Sequence, residues 1–321
     1  MRSAEEYVSV GPFSVMAVRE EDVAARVREA WRMGAGGSIA TVNIDILRAT
    51  TRDSALAELV SHSDIVVADG MPVAWAARMS GHPLPERVTG ASLVWTLAEA
   101  AAASGRSVYI IGGDPGVPEA AGAALSNRFP GLRVAGTDSP PFGFEKDPEQ
   151  LAEVVRRARR ARPDLVLVGL GFPKQEHLIT RLRKVLPDAW MLGCGAGIPF
   201  AAGQFRRAPV VLQRTGAEWL FRLAQEPRRL ARRYLAHDLP FALALLGRAA
   251  LGRLGGATQA TRPALVLRAG LPPVPVQTSI ERLGPVRQPS PVRALASAKP
   301  RPVTVRVPDD APPLPRTAQG A

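Results

Sequence analysis

Residues 165–176 read Leu165-Val166-Leu167-Val168-Gly169-Leu170-Gly171-Phe172-Pro173-Lys174-Gln175-Glu176. The first four are apolar and two of them are β-branched, the pattern of a strand buried on both faces. Gly169 and Gly171 allow a tight turn and leave backbone uncovered by side chains. Pro173 suits the first turn of a helix, where its missing N–H costs nothing. Lys174 to Leu186 continues as that helix. A strand, a glycine turn and a helix N-terminus aim N–H groups at an anion, and Lys174 adds a full charge. The same pattern also serves as a plain strand-to-helix turn, so the other strand ends have to be read beside it.

Working outward, residues 8–16 read as a strand or a hairpin around Gly11-Pro12. Short apolar strands are expected at 38–42, 65–68, 108–111, 132–135 and 189–192. Helical spacing is found at 20–33, 48–61, 71–79, 91–103, 118–129 and 148–161. This alternation predicts an α/β fold, a parallel Rossmann-like sheet covered by helices. Ligands of such sheets collect outside the carboxyl ends of the strands. Those ends carry Thr41 and Asn43, Asp69, Gly112-Gly113, Gly169 with Gly171, and the run Gly193-Cys194-Gly195-Ala196-Gly197. None of them completes G-x-G-x-x-G with its downstream acid, which disfavours a dinucleotide dehydrogenase.

The chain of 321 residues is 46% hydrophobic and carries a formal net charge of +12. It has room for a large core, and its charge suits nucleotide phosphates, anionic lipid or nucleic acid. Nucleic acid is disfavoured, because no sheet face interleaves aromatics with the basic residues. The single cysteine, Cys194, allows no internal disulfide and fits a reducing cytoplasm. Residues 1–10 carry acids and lack a long apolar run, so no secretory signal is expected there. No window of 18 apolar, uncharged residues reads as a membrane span.

Three regions follow from composition. Residues 1–205 form the α/β domain. Residues 206–254 hold ten arginines against Glu218, Glu226 and Asp238, interleaved with Trp219, Phe221, Leu230, Tyr234 and the run 239–246. This basic amphipathic appendage fits either an anionic membrane surface or packing on its own domain with a solvated arginine face. Residues 255–321 are rich in Pro, Ala and Arg without an apolar period, and a disordered tail is expected.

Asp69 is the best candidate base. It follows Ile65-Val66-Val67-Ala68 and so emerges from a buried strand, where low dielectric raises a carboxyl pKa toward that of a proton acceptor. Thr41 and Asn43 either hydrogen-bond a substrate or cap the following helix. Arg87 either holds a phosphate or pairs with Glu86 or solvent. Gln175 is a candidate ligand for a sugar or base, and Glu176 is read as favouring the helix N-terminus. Gly112, Gly169, Gly171 and Gly195 are read as nucleotide-binding turns. His62, His82, His177 and His237 are dispersed and no Asp-x-Asp stands out, so no metal or other cofactor is expected. Cys194 reads as a small buried residue.

A series of motifs together resembles the WecG/TagA/CpsF family of bacterial glycosyltransferases, from about Val10 to Leu246. It comprises Thr41-Val-Asn43, Val67-Ala-Asp69-Gly70, Leu84-Pro-Glu-Arg87-Val-Thr-Gly90 and Gly169-Leu-Gly-Phe-Pro-Lys-Gln175-Glu176. Ala202-Gly203 with Arg207-Ala-Pro209, and Glu218-Trp219-Leu-Phe-Arg222 with Glu226-Pro227, complete it. The resemblance implies inverting transfer of an N-acetylhexosamine, N-acetylmannosamine or its uronic acid, from UDP. The implied acceptor is a polyprenyl-diphosphate-linked sugar, and the implied location is the inner face of the plasma membrane, held peripherally. By position Asp69 matches the general base and Thr41 its polar neighbour. The appendage matches a C-terminal segment implied to complete the active site and attach the enzyme to membrane. Arg214, Arg222 and Arg229 are then placed to neutralise the leaving diphosphate without a metal. A homo-oligomer is left open.

Two positions depart from the family pattern. Pro199 stands where the family usually has an aspartate, and Met71 follows the Asp-Gly pair in place of a small residue. Pro199 and the basic appendage also motivate an alternative, a non-catalytic membrane-surface protein on a degenerate transferase fold.

Overall fold

A computed structural model describes residues 7–205, 208, 209, 212, 217–225 and 227–254, without the side chains of 229 and 252–254. The expected disordered tail and Arg214 lie outside the described residues. The chain opens with an antiparallel hairpin, β1 (Tyr7–Val10) and β2 (Phe13–Met16), whose turn needs Gly11 at φ +60°. Helix α1 (Glu20–Arg32) carries three acids in its first turn and buries Val23, Val27, Ala30 and Trp31 on one stripe.

Six strands form the main sheet: β3 (Gly37–Val42), β4 (Ile65–Ala68), β5 (Ser107–Ile111), β6 (Arg133–Asp138), β7 (Leu165–Val168) and β8 (Trp190–Gly193). Their order is β4-β3-β8-β7-β5-β6 and every pair is parallel. Each strand except the edge strand β6 is buried along its whole length, as a sheet with helices on both faces requires.

The period of two sorts side chains between the faces. Leu165 and Leu167 face a core shared with α1, α5 (Gly90–Ala103), α6 (Val117–Arg128) and α9 (Gly197–Ala201). Val166 and Val168 face a core shared with α7 (Pro148–Ala161) and α8 (Lys174–Val185). On that second face β3 and β4 pack against the hairpin, α2 (Ile44–Arg52), α3 (Ser54–Ser61) and α4 (Met71–Met79).

Some local details differ from the sequence reading. The single helix expected over 48–61 is two, because Asp53 turns extended and its carboxylate accepts from the N–H groups of Ala55 and Leu56 as an N-cap. Pro173 stands just before α8 rather than inside it.

The chain moves from β3 out to β4, crosses to β5 and on to β6, then returns through β7 to β8 beside β3. The connections leaving β5 and β7 therefore run in opposite directions, which opens a crevice at their carboxyl ends.

The basic segment continues as α10 (Glu218–Gln225), α11 (Pro227–Ala231), a π-helical stretch Arg232–Asp238 and α12 (Leu239–Leu254). Phe241, Leu245, Leu246 and Ala249 of α12 pack against the α2/α4 core, while Leu239, Leu243 and Leu251 stay exposed. Among the described residues no helix is long and apolar enough to cross a membrane.

An ion cluster fastens this segment. Buried Asp238 accepts from Arg48 Nε of α2 at 3.2 Å and from Arg233 Nε at 3.3 Å, and Asp45 pairs with both arginines. Asp238→Ala removes the charge-assisted bond by which Asp238 reaches Arg48 on α2, Arg233 being on the same segment, a loss of about 1.5 kcal/mol in local docking. Trypsin is expected to cut at Arg232 or Arg233 roughly tenfold faster in the variant, since about 1.4 kcal/mol already gives tenfold. Unchanged cleavage kinetics would show that the cluster does not hold the segment.

Candidate active site

Asp69 begins where β4 ends. Its N–H donates to Val42 O at 2.8 Å, which extends the β3–β4 ladder by one residue and delivers the side chain past the sheet edge. Gly70, at φ +95°, then turns the chain into α4. The carboxylate is partly buried and accepts from the N–H of Gly90, the first residue of α5, at 3.4 Å. Burial is the largest influence and holds the Asp69 carboxyl above its ordinary range. Arg87, the Gly90 N–H and Arg222 pull it down, and Glu218 pushes it up.

Gly90 joins three parts of the site. A Cβ there would lie 3.2 Å from Thr41 Oγ1 and 3.1 Å from Cys194 Cα, so a larger residue would crowd both. Thr41 is buried at the end of β3 and donates from Oγ1 to Gly193 O at 3.3 Å. Asp69 and Thr41 therefore flank one helix N-terminus, with the turn after β8 against it.

The appendage reaches this place. Arg87 Nη1 donates to Glu218 Oε2 of α10 at 2.9 Å, both side chains being mostly buried. Arg222, one turn further along α10, lies with its guanidinium 5.2 Å from the centre of the Phe200 ring of α9. A carboxylate on the body, two arginines and a second carboxylate thus meet at one edge of the sheet. Pro199, beside Phe200, lies in the first turn of α9, where no backbone N–H is needed.

A profile of the glycosyl transferase WecG/TagA/CpsF family matches residues 8–254. The chain belongs to that family. It is a glycosyltransferase. One similar relative is the N-acetylglucosaminyldiphosphoundecaprenol N-acetyl-beta-D-mannosaminyltransferase of Staphylococcus aureus (strain MW2), 30% identical over 194 residues, which are 60% of this chain and 74% of the relative. The protein of the same name from Bacillus subtilis (strain 168) is 29% identical over 197 residues, 61% of this chain and 75% of the relative.

Within this WecG/TagA/CpsF chain the structure redistributes several residues first read as ligand-binding. Lys174 is paired with Glu145 Oε1 and lies over the Phe142 ring at 4.7 Å, so its charge is engaged on the loop after β6 and is not free over the glycine turn. The Gln175 N–H at the start of α8 already donates to Gly171 O at 3.0 Å, which removes one donor from the expected anion site. The Gln175 side chain is buried rather than presented to a sugar: its Oε1 accepts from Gly195 N–H at 3.0 Å and its Nε2 donates to Glu176 Oε1 at 2.8 Å. Asn43 is an N-cap, its Oδ1 accepting from the N–H groups of Asp45 and Ile46.

Two glycines serve loop packing. A Cβ on Gly112 would fall 2.5 Å from Gly169 O, and one on Gly169 would fall 2.6 Å from Ile198 Cδ1 and 2.7 Å from Gly195 O. Gly171 at φ +75° and Gly195 at φ +50° border open space and remain candidates for ligand approach.

Arg87 pairs with Glu218, and Glu86 accepts from the Glu20 N–H instead. Arg214 lies outside the described residues, as does the Arg229 side chain. Glu218 and Gly90 are site residues to which sequence reasoning gave no role. Both stand inside the motifs that carry the family resemblance, which was the available signal.

Proposed function

We propose that this glycosyltransferase moves an N-acetylhexosamine-type sugar of the N-acetylmannosamine kind from UDP to a polyprenyl-diphosphate-linked acceptor, inverting the anomeric carbon. The observation that carries it is the Asp69 carboxylate at the carboxyl end of β4, held above its ordinary pKa by burial yet facing Arg87 and Arg222. Such a carboxylate is basic enough to take a proton and is set beside cations that stabilise departing phosphate.

The acceptor hydroxyl gives its proton to Asp69 as its oxygen bonds to the anomeric carbon. The bond from that carbon to the β-phosphate oxygen breaks, and UDP leaves with the electron pair. Arg222 and Arg87 meet the charge on the diphosphate, and Arg214 and Arg229 are proposed for the same role on their position in the sequence. Thr41 orients the reacting sugar beside Asp69. The resident groups proposed for this step are arginines, with no metal or other cofactor. Among the described residues no three His, Cys, Asp or Glu side chains are grouped to hold a metal ion.

The sheet order supports the span of the site. Strands β4 and β7 are separated by β3 and β8, three inter-strand steps or about 14 Å, the scale of a nucleoside diphosphate sugar. A sugar at Asp69 thus leaves its nucleotide near Gly171 and Gly195.

The relatives' printed acceptor is a lipid diphosphate. A surface for its membrane is available on the appendage. Exposed Leu239, Leu243 and Leu251 lie on α12. A cavity of about 630 Å³ between α2 and α12 is lined by Leu47, Phe241 and Leu245 together with Arg52 and Arg248. The proposed location is peripheral, on the inner face of the plasma membrane.

Turnover tests the proposal. A panel of UDP-sugars with a short-chain polyprenyl diphosphate carrying N-acetylglucosamine is expected to release UDP only when donor and acceptor are both present, with the N-acetylmannosamine donor fastest. No UDP release across the panel, with the folded protein still binding anionic vesicles, would reject the donor class.

A further inference from the structure

Glu176 is only 5% exposed, but among the described residues its Oε2 has no hydrogen-bond partner. Its Oε1 accepts from Gln175 Nε2, and Gln175 Oε1 in turn accepts from the N–H of Gly195. A Cβ on Gly193 would meet Gln175 Nε2 at 2.8 Å and Glu176 Oε1 at 3.5 Å, so both side chains press directly on the carboxyl end of β8. The turn they support is the one that touches the site: Gly193 O accepts from Thr41, and Cys194 packs on Gly90, whose N–H donates to Asp69. A buried carboxylate is a costly filler for such a place, and an apolar side chain of similar volume would fill it better.

We propose that Glu176 is a positioning residue of the transferase: it fixes the orientation of the Gln175 amide, and through it the Gly193–Gly197 turn that backs Thr41 and Gly90. This rests on the reading of Asp69 as the base. The amide of Gln175 has two orientations, and only one presents its carbonyl oxygen to the Gly195 N–H. An acceptor at Glu176 selects that orientation, because the flipped amide would set two acceptor oxygens against each other.

The bond to Gln175 is stronger when Glu176 is ionised. Burial pushes the Glu176 carboxyl up to about 7, so the strength of this hold changes near neutral pH. Glu58 of α3, His62 just after it, and His177 and Arg183 of α8 line a cavity of about 420 Å³ together with Glu176. Arg183 is paired with Asp64, which leaves it committed elsewhere. The Cys194 thiol, pushed up to about 12 by burial, stays neutral on the β8 side.

The test is steady-state transfer with five variants, each checked for folding by thermal unfolding. Glu176→Gln keeps an acceptor for Gln175 and is expected within about threefold of the wild-type kcat, but its kcat–pH profile loses one ionisation near neutral. Glu176→Leu is expected to lower kcat about tenfold or more with donor KM changed less than about twofold, as for a lost transition-state contact. Gln175→Leu should show a similar loss, and the double variant should be no worse than the worse single one, since both act through one contact.

Wild-type kcat in Glu176→Leu, additive losses in the double variant, or a Glu176→Gln profile identical to wild type would each overturn the proposal. If Glu176→Leu does not fold, the Glu176→Gln profile decides alone. Asp69→Asn separates the two readings. Its retained turnover rejects the base, whereas an inactive Asp69→Asn beside a fully active Glu176→Leu rejects only the positioning role.

Discussion

Asp69→Asn is expected to retain donor binding and lose turnover by about 10³-fold, within the usual range for removal of a general base. The substitution is nearly isosteric, and the Asn carbonyl oxygen still accepts from the Gly90 N–H that now bonds Asp69 Oδ2. What disappears is the ability to hold the acceptor's proton. The pH dependence gives a second check whose sign follows from the charges around the residue. Burial raises the Asp69 pKa, so in wild type kcat/KM should begin to fall, on acidification, above the ordinary carboxylate range. Glu218 contributes to that rise, so Glu218→Gln should move the acid limb to lower pH. Arg87 opposes it, so Arg87→Gln should move the limb to higher pH while also weakening phosphate binding. The measurement is kcat/KM for the donor against pH in the three variants. Substantial turnover in Asp69→Asn, or limbs that shift the opposite way, would remove Asp69 from the chemistry.

How far the sequence reached this site depends on the range of each interaction. Asp69 was legible because a lone acid directly after four buried apolar residues has to emerge at the sheet edge. The alternation of strands and helices was legible for the same reason, a local period. The edge strand β6 was read as 132–135 but runs Arg133–Asp138, because half-exposed polar residues at an edge carry little apolar signal. The Arg87–Glu218 pair joins residues 131 apart, and nothing local to either one announces the other. The placement of Gln175 is hidden from the sequence for a different reason. An amide in a glycine-rich turn resembles a ligand group, and only the three-dimensional structure shows both of its ends already bonded. The break at Asp53 shows the limit of periodicity. The apolar spacing continues through it, while one capping carboxylate reorients the backbone.

Glycines show the same limit, and one of them carries a large expected effect. Gly112→Ala should destabilise the fold by about 4 kcal/mol, combining backbone strain with overpacking. Gly112 sits at φ +110°, a region closed to L side chains, and its Cβ would stand 2.5 Å from Gly169 O. Neither atom can yield alone. The Gly112 N–H is tied to Asp138 O at 2.9 Å, and the Gly169 N–H is tied to Ile111 O at 2.8 Å. Both turns would have to separate where β5 and β7 part, which is the mouth of the crevice. Gly131→Ala supplies the control, because Gly131 has φ +91° but nothing within 4 Å of a Cβ. It should cost only the local strain, about 1–2 kcal/mol. Urea unfolding of the two variants checks the difference. Equal losses would mean that the two turns are not in contact. A much larger loss at Gly112 would mean that glycine is needed there to let one backbone lie against another, whatever ligand later occupies the crevice.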